Sequence, residues 1–219
     1  LDELTLLRYV QYQRALADDR KFQRRWMQPV NVLKGKHKLL VEADEGVHAY
    51  TAPGLAALQP VLSGGLTTYG SQTHPADGTA GALVCGGARA RDLAQGEGVV
   101  RLLAAGFARA EKARMPKAAT LAAQRALASA GVPIEQVKHV TTHNPFAVND
   151  LWFAQQTGYA LERMNAFGCS LIFGHPQAPT GLRSIVELVH TLREAGGGIG
   201  LFTGCAAGDT GAALVISVE

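Results

Sequence analysis

Apolar positions recur along the second half of the chain with alternating strand and helix periods. A β-rich run from Val99 to Phe107 is followed by an alanine-rich helix that begins at Pro116 and ends at Gly131, and proline is tolerated in a first turn. A strand from Val137 to Thr142 comes next, and a helix from Pro145 to about Gln156 follows it. Strands interleaved with helices predict a layered α/β fold.

The end of the chain predicts one amphipathic helix and two closing strands. The helix runs from about Gly181 to Glu194. Its apolar stripe comprises Leu182, Ile185, Val186, Val189 and Leu192. Two apolar strands, Ile199 to Gly204 and Ala212 to Val218, are joined by the Cys205 to Gly211 turn, so they should pair antiparallel. We therefore expect a layered mixed sheet covered by helices.

The beginning of the chain is less regular. A helix at the start places Leu4, Leu7 and Val10 on one face, and two short β-prone segments follow near Val30 and Leu40. These residues contain no convincing core of their own.

Proline and glycine punctuate the middle of the chain. The apolar run from Ala80 to Cys85 predicts one buried strand, with Cys85 as a small core residue. These changes of pattern divide the chain into three parts, residues 1–50, 51–96 and 97–219, of which the third is the most regular.

Composition is that of an ordinary globular domain. The 219 residues are 47% hydrophobic and 18% charged, which is sufficient for one sizeable core. No apolar stretch approaches the roughly 20 residues of a membrane-spanning helix, and no signal peptide is apparent, so we expect no membrane partner. The chain begins at Leu1 without an initiator methionine, which suggests a piece of a longer polypeptide or a processed subunit.

Neither a disulfide nor a metal site is predicted. Three cysteines without paired spacing favour a reducing compartment, and we expect a cytoplasmic protein. No two of them approach metal-ligand spacing, and Cys169 is expected to pack in the interior. The adjacent carboxylates Asp44 and Glu45 are expected to be solvated.

The formal net charge of +3 is mild. The main cluster of basic residues runs from Arg20 to Trp26, and Lys34, Lys36 and Lys38 follow shortly after. Such a run is typical of a solvated loop face; the alternative is a landing site for a phosphorylated nucleotide, with Trp26 available for stacking. Nucleic-acid binding is not expected, because aromatic residues are only 6% of the chain and no recognition module is visible.

Glycine-bounded turns contain the strongest candidates for chemistry. His175 lies between Gly174 and Pro176, which restrict its backbone, and Cys205 follows an apolar strand and enters a glycine-containing turn. An imidazole and a thiol held in this way are suited to moving protons at a carbonyl-bearing substrate. Backbone N–H groups of the turn would lower the pKa of Cys205 or bind an oxyanion. The alternatives are a surface histidine and a buried structural thiol.

His143 is a third candidate, at the end of a predicted strand. Asn144 follows it as a helix N-cap candidate, and Pro145 would occupy the first helical position. A side chain at this edge lies where α/β sheets tend to bind ligands. The alternative is a histidine that only hydrogen-bonds its own loop.

Three motifs occur in a definite order along the chain. They are His143-Asn-Pro-Phe146, then Asn165-Ala-Phe-Gly-Cys-Ser-Leu-Ile-Phe-Gly-His-Pro176, then Gly200-Leu-Phe-Thr-Gly-Cys205 followed by a glycine turn and a closing apolar strand. This succession closely resembles the carboxy-terminal half of the thiolases, which are coenzyme-A-dependent acyl transferases. Upstream, Tyr69 to Gly78 is similar to the family's loop of Gly-Asn-Ala-Ser type.

Carried over by position, the resemblance implies a role for each motif. His175 matches the histidine that activates the nucleophilic cysteine and helps to hold the thioester oxygen. Cys205 matches the acid/base cysteine that acts at the α-carbon or the leaving thiol. His143 stands where the family has a residue that orients a water in an oxyanion hole. The residues implied to contact the coenzyme A thioester are Ser71, Gln72, Thr73, Phe146 and Ala207.

The chain departs from the family pattern at several points. The nucleophilic cysteine would precede Leu1, so this chain alone should form no acyl-enzyme. Asn144 and Pro145 replace a glutamate and an alanine, and Ala207 replaces a glycine. A small Gly-Gly-Ala run is represented by Gly168-Cys169-Ser170, which would change the shape of the acyl pocket.

Three functions remain open at this point. The first is the C-terminal part of an acyl-CoA C-acyltransferase of the acetyl-CoA acetyltransferase type, completed by a missing N-terminal half or a partner subunit. The second is a non-catalytic, thiolase-like acyl-CoA-binding subunit, and the third is a scaffold whose histidines and cysteine only pack. The resemblance also implies a homo-oligomer, an acyl-CoA substrate and no covalently bound cofactor. It further implies that residues 1–50 form a loop-domain-like segment, 51–96 the last strand region of the N-terminal half and 97–219 the C-terminal domain.

Overall fold

The computed structural model of the protein describes all 219 residues. Residues 1–96 contain the helices α1 (Asp2–Ala15), α2 (Ala17–Arg20), α3 (Ala52–Ala56) and α4 (Gly87–Ala94), and the strands β1 (Val30–Lys34) and β2 (His37–Val41). Residues 97–219 contain β3 (Val100–Arg109), α5 (Met115–Ala130), β4 (Val137–His143), α6 (Ala147–Thr157), α7 (Ser170–Phe173), α8 (Pro179–Glu194), β5 (Gly198–Ala206) and β6 (Thr210–Val218). The predicted order of strands and helices after residue 98 is confirmed.

One mixed four-stranded sheet organises the second half of the chain. Its strand order is β3-β6-β5-β4, with β5 antiparallel to β6 and parallel to β4. Strands β3 and β6 are also antiparallel. The predicted α/β architecture with a mixed sheet is therefore confirmed. Because β4 and β5 are parallel, their carboxyl ends lie at the same edge of the sheet.

Helix α5 lies directly against the backbone of the sheet. A Cβ added to Gly106 on β3 would lie 2.2 Å from the carbonyl oxygen of Ala122, and one added to Gly211 on β6 would lie 2.3 Å from that of Ala118. The helix surface at this contact consists of small, fully buried side chains. They are Ala118, Ala122, Ala123 and Ala126. Glycine on the strands and alanine on the helix together permit this close approach.

Helix α8 covers the opposite face of the sheet. Leu188 and Leu192 pack there with Phe202 and Ile216, and successive residues of a strand point to opposite faces. The predicted apolar stripe is only partly correct, because Leu182 and Val186 are only half-buried. Several polar residues of the helix are buried instead, namely Thr180, Ser184, Glu187 and Thr191. The helix packs against the first part of the chain as well as the sheet, and this second contact is polar.

That polar contact involves Asp44, and the prediction that Asp44 is solvated is wrong. Its carboxylate accepts hydrogen bonds from both terminal nitrogens of Arg183, from the Tyr12 hydroxyl at 3.0 Å and from the Gln23 amide at 3.2 Å. Glu45 is exposed as expected. Two neighbouring carboxylates therefore differ in environment, because only one of them meets an arginine from α8.

Helix α1 also buries a polar face. Leu4 and Tyr12 pack with Leu171 and Phe173, but Arg8 is fully buried, whereas Val10 is 51% exposed. The predicted face of α1 is therefore wrong at Val10. The pattern of apolar residues did not predict this orientation, because the buried residue is an arginine. Its guanidinium can be buried because it pairs with Asp150.

The strand predicted from Ala80 to Cys85 is also wrong. This segment has no regular secondary structure, and Leu83, Val84 and Cys85 are exposed. A strand needs a neighbour to satisfy its backbone hydrogen bonds, and within this chain the segment has none.

The arginines of the basic run form ion pairs, while Phe22 and Gln23 between them are buried. Arg24 pairs with Asp19, Arg25 with Glu194 and Arg20 with Glu42. No helix of the protein combines the length and the apolar character that crossing a membrane requires.

Replacing Gly106 by alanine should destabilise the fold. Because the added methyl group would enter the backbone of α5, we expect the free energy of unfolding to fall by about 1–3 kcal/mol. Urea denaturation of the polypeptide that carries this chain measures the change. Gly81→Ala is the matched control, since no atom lies within 4 Å of its added Cβ, and it should change stability by less than about 0.5 kcal/mol. Equal stability of the two variants would contradict this account of the α5 contact.

Candidate active site

A cavity of about 940 Å³ opens at the carboxyl ends of β4 and β5. His143, the last residue of β4, lines it together with His175 and Cys205. The structure therefore brings the three sequence-predicted catalytic side chains to one site. The parallel pairing of β4 with β5 is the reason, because it places the ends of both strands beside the His175 turn.

Gly204 leaves room for the imidazole of His143. The two residues are partners in the β4–β5 pairing, and a Cβ on Gly204 would lie 3.0 Å from the Cβ of His143 and 3.2 Å from Phe202. The predicted helix start is wrong, since α6 begins at Ala147 and no capping hydrogen bond forms there. Asn144 is instead buried behind the site.

His143 is an uncharged imidazole in this setting. Its Nδ1 lies 3.0 Å from the hydroxyl of Ser170. Burial, assisted by the neighbouring His175, lowers the pKa of His143 to about 3, because a desolvated imidazole resists protonation. At neutral pH this residue can form hydrogen bonds but does not contribute a charge.

His175 stacks on His143 and is held by a tight turn. The ring centroids are 4.3 Å apart with an interplanar angle of 28°. The N–H of His175 donates to the carbonyl of His74 at 2.8 Å, and its Nδ1 lies 2.7 Å from the Thr180 hydroxyl. Gly174 precedes it with φ of +92°, and a Cβ there would lie 2.8 Å from the His74 ring. Partial burial lowers the pKa of His175, so this imidazole is also available as a base.

Cys205 lies on β5 and not in the following turn. It pairs with Gly211 of β6, is buried, and its Sγ accepts a hydrogen bond from the Asn149 amide at 3.3 Å. Burial raises the pKa of Cys205 to about 11, although the Asn149 hydrogen bond opposes this shift. The expectation that turn N–H groups lower this pKa is therefore wrong, and the thiol keeps its proton at neutral pH.

The residues predicted to contact a coenzyme A thioester occupy two different places. Ala207 lines the cavity. The other four, Ser71, Gln72, Thr73 and Phe146, do not line it.

Those four residues connect the upstream loop to the His143 motif. Gln72 and Phe146 form an isolated β-bridge, and the N–H of Thr73 donates to the carbonyl of Pro145 at 2.8 Å. Their backbones face each other across this contact, which holds the loop behind the wall of the cavity.

Buried polar residues that the sequence did not predict support the three side chains. Asp150 is fully buried on α6 and pairs with Arg8 of α1 at 2.8 Å. Asn149 contacts Cys205, and Ser170 contacts His143. The only sequence signal was an Asn-Asp pair near the start of α6. The partner of Asp150, Arg8, lies 142 positions away in the sequence.

Cys169 lies in the interior, as predicted. Cys169 is buried and packs in the core around α1 and α7. Burial raises its pKa to about 12, so it is an inert thiol. No cluster of three His, Cys, Asp or Glu side chains could hold a metal ion.

Comparisons with known proteins agree with this geometry. A family model described as the thiolase C-terminal domain matches residues 98–218. A 3-ketoacyl-CoA thiolase of Erwinia tasmaniensis is 31% identical over 205 residues, covering 81% of this chain and 45% of that protein. Acetyl-CoA acetyltransferase 1 of Arabidopsis thaliana is 29% identical over 193 residues, covering 85% of this chain and 45% of that protein. The chain thus spans less than half the length of these two relatives.

Solved structures show the same fold. The acetyl-CoA acetyltransferase of Bacillus anthracis superposes with a TM-score of 0.92 at 23% identity, covering all of this chain and 55% of that one. Human mitochondrial 3-ketoacyl-CoA thiolase superposes with a TM-score of 0.84 at 22% identity. This superposition also covers all of this chain and 55% of that one. Because the family model matches more than half of the chain, and that half contains the His143, His175 and Cys205 motifs, the chain belongs to the thiolase family as a C-terminal domain.

Proposed function

We propose that this chain supplies one half of the active site of an acyl-CoA C-acyltransferase, which acts by Claisen condensation or thiolytic cleavage. The nucleophilic cysteine would come from an N-terminal segment or a partner subunit. The proposal rests on one observation, that His143, His175 and Cys205 line a single cavity. Relatives named as thiolase and acetyltransferase, of which the chain spans less than half, support it.

In the cleavage direction, His175 would act first. As an uncharged imidazole it takes the proton of the nucleophilic thiol, and the thiolate attacks the 3-keto carbon of the substrate. The bond between the α- and β-carbons then breaks, and its electron pair stays on the α-carbon as the enolate of the shorter thioester. The thiol of free coenzyme A subsequently takes the acyl group from the enzyme cysteine. Condensation is the same sequence reversed.

Cys205 would return the proton to that α-carbon. A thiol with a raised pKa of about 11 still carries its proton at neutral pH and is a suitable acid for an enolate, which is strongly basic. In the condensation direction, its thiolate would be a base strong enough to remove an α-proton. The hydrogen bond from Asn149 stabilises this thiolate.

His143 would stabilise the thioester oxygen through hydrogen bonding. With a pKa of about 3, it contributes no positive charge. As the family resemblance implies, it would orient a bound water that donates a hydrogen bond to the developing oxyanion. We further expect a cytoplasmic homo-oligomer that uses acyl-CoA without a covalently bound cofactor.

Substitutions in the complete polypeptide test the proposed roles. Cys205→Ala should lower kcat by about 10²–10⁴-fold while the acyl-enzyme still forms from acetyl-CoA. Coenzyme A can leave as a thiolate without an acid, whereas proton transfer at the α-carbon needs the Cys205 side chain. His175→Ala should prevent acylation itself. Intact mass spectrometry detects the acyl-enzyme, and acetoacetyl-CoA cleavage gives the rate.

Cys85→Ser is the matched control, since Cys85 is exposed and remote from the cavity lining. It should leave both measurements unchanged. If coenzyme A raises the melting temperature of the complete polypeptide, but no turnover or acyl-enzyme occurs, the non-catalytic binding subunit is the correct function.

Acid should destabilise the fold through its neutral histidines. Burial lowers the pKa of His143 to about 3 and that of His190 to about 4, whereas both bind a proton near pH 6.5 when unfolded. Stability is therefore complete above pH 6.5 and falls as pH approaches the folded values. The contribution of His143 alone should lower the free energy of unfolding by about 2 kcal/mol as the pH falls from 7 to 5.

Urea denaturation at the two pH values measures this loss. His143→Asn should reduce the difference in unfolding free energy between pH 7 and pH 5. His37→Asn, on the exposed β1–β2 hairpin, should retain the full difference. An unchanged pH dependence in His143→Asn would contradict the neutral, desolvated state of this imidazole.

A further inference from the structure

The carboxylate of Asp150 determines the orientation of its neighbours. It accepts hydrogen bonds from Arg8 Nε at 2.8 Å, Thr142 Oγ1 at 2.7 Å, Asn144 Nδ2 at 2.7 Å and Asn165 Nδ2 at 3.1 Å. An ionised carboxylate can only accept. The group of Asn144 that faces it must therefore be the NH₂, and the carbonyl oxygen of that amide must point away.

The carbonyl oxygen of Asn144 consequently faces two groups of α7. Its Oδ1 lies 3.3 Å from the N–H of Leu171 and 3.2 Å from the hydroxyl of Ser170. An amide oxygen only accepts. The single proton of the Ser170 hydroxyl is therefore directed to Asn144, since two oxygen lone pairs would otherwise face each other.

With its proton used, Ser170 can only accept from its remaining neighbours. One neighbour is the backbone N–H of Asn144 at 3.2 Å, and the other is Nδ1 of His143 at 3.0 Å. Two acceptor lone pairs and one donated proton satisfy a hydroxyl completely. All of these hydrogen bonds can form together only if Nδ1 of His143 carries a hydrogen.

We propose that Asp150, Asn144 and Ser170 form a positioning relay that holds His143 as the Nδ1–H tautomer, with the lone pair of Nε2 available to the cavity. Nε2 makes no hydrogen bond to the protein, and His143 lines the cavity. All three relay residues are fully buried. The neutral charge of His143, which its lowered pKa indicates, is compatible with a single ring proton.

This tautomer has a consequence for catalysis that rests on the proposed function. A water that donates one hydrogen to Nε2 has its second O–H free to donate to the oxygen of a bound thioester. In the opposite tautomer, the N–H at Nε2 could itself donate to the thioester oxygen without this water. The relay therefore decides whether the donor to the oxyanion is the water or the imidazole of His143.

Nitrogen NMR of the complete polypeptide, with histidine selectively labelled with ¹⁵N, tests the relay without requiring turnover. His143→Asn identifies the His143 signals by their loss. In the wild type, Nδ1 should carry the proton and Nε2 should have the shift of an unprotonated ring nitrogen. A wild-type His143 protonated on Nε2 overturns the proposal.

Two substitutions should change the tautomer in different ways. In Asn144→Ala the Ser170 hydroxyl loses its acceptor and becomes free to donate to Nδ1, so His143 should convert largely to the Nε2–H form. In Ser170→Ala neither ring nitrogen has a protein partner, so both tautomers should be populated. An unchanged Nδ1–H tautomer in Asn144→Ala also overturns the proposal.

Ser184→Ala is the matched control, because it removes a buried hydroxyl that donates to Thr180 within α8. It should leave the His143 tautomer as in the wild type; a change in this variant would mean that general loosening, not the relay, sets the tautomer.

Kinetics provide a second measurement. Ser170→Ala, which leaves both tautomers populated, should lower kcat several-fold, and Asn144→Ala, which converts the tautomer, should lower it by about 10–100-fold. Both should change KM little, since the relay affects the transition state more than substrate binding. An inactive polypeptide with the expected tautomers would contradict the proposed function and leave the relay intact. An active enzyme whose kcat does not respond to Ser170→Ala would show that the relay has no catalytic consequence.

Discussion

The ion pair between Asp150 and Arg8 is the contact on which the architecture of the site depends. It joins α1 to α6 with both side chains removed from solvent. Removing one partner of such a pair leaves an uncompensated buried charge, at a cost of about 3–5 kcal/mol. The carboxylate is also hydrogen-bonded to Thr142, Asn144 and Asn165. The first helix of the chain, which is remote in sequence, thereby orients the backbone and side chains behind the cavity.

The three candidate catalytic side chains are neutral titratable groups, although Arg109 and Arg125 also line the cavity. Two stacked imidazoles, His143 and His175, have lowered pKa values, and the thiol of Cys205 has a raised one. Burial is the largest cause in each case. Such groups bring no charge into the desolvated pocket before the reaction begins, and charge develops there only when a proton moves. The protonation states of these three side chains therefore follow from how deeply the fold buries them.

Much of the second half of the fold could be predicted from local pattern. Regular strand and helix periods predicted β3 to β6 and helices α5, α6 and α8, because most of these elements bury apolar residues against one sheet. Strand β3 is the exception, since Leu102, Leu103 and Phe107 are exposed. The predictions failed where burial is polar or where no neighbour exists. Arg8 and Asp44 are held by partners far away in sequence, and the apolar segment from Ala80 to Cys85 has no strand to pair with.

The sequence by itself determined the family and the three candidate side chains, because three short motifs in a definite order along the chain can be recognised from local sequence. Only the tertiary structure decided their chemical state. Burial raised the pKa of Cys205 where a turn location suggested the opposite, and Asp150 and Ser170 acquired partners through folding. Desolvation and hydrogen bonding depend on what surrounds an atom in three dimensions, and residues far apart in the chain supply those surroundings.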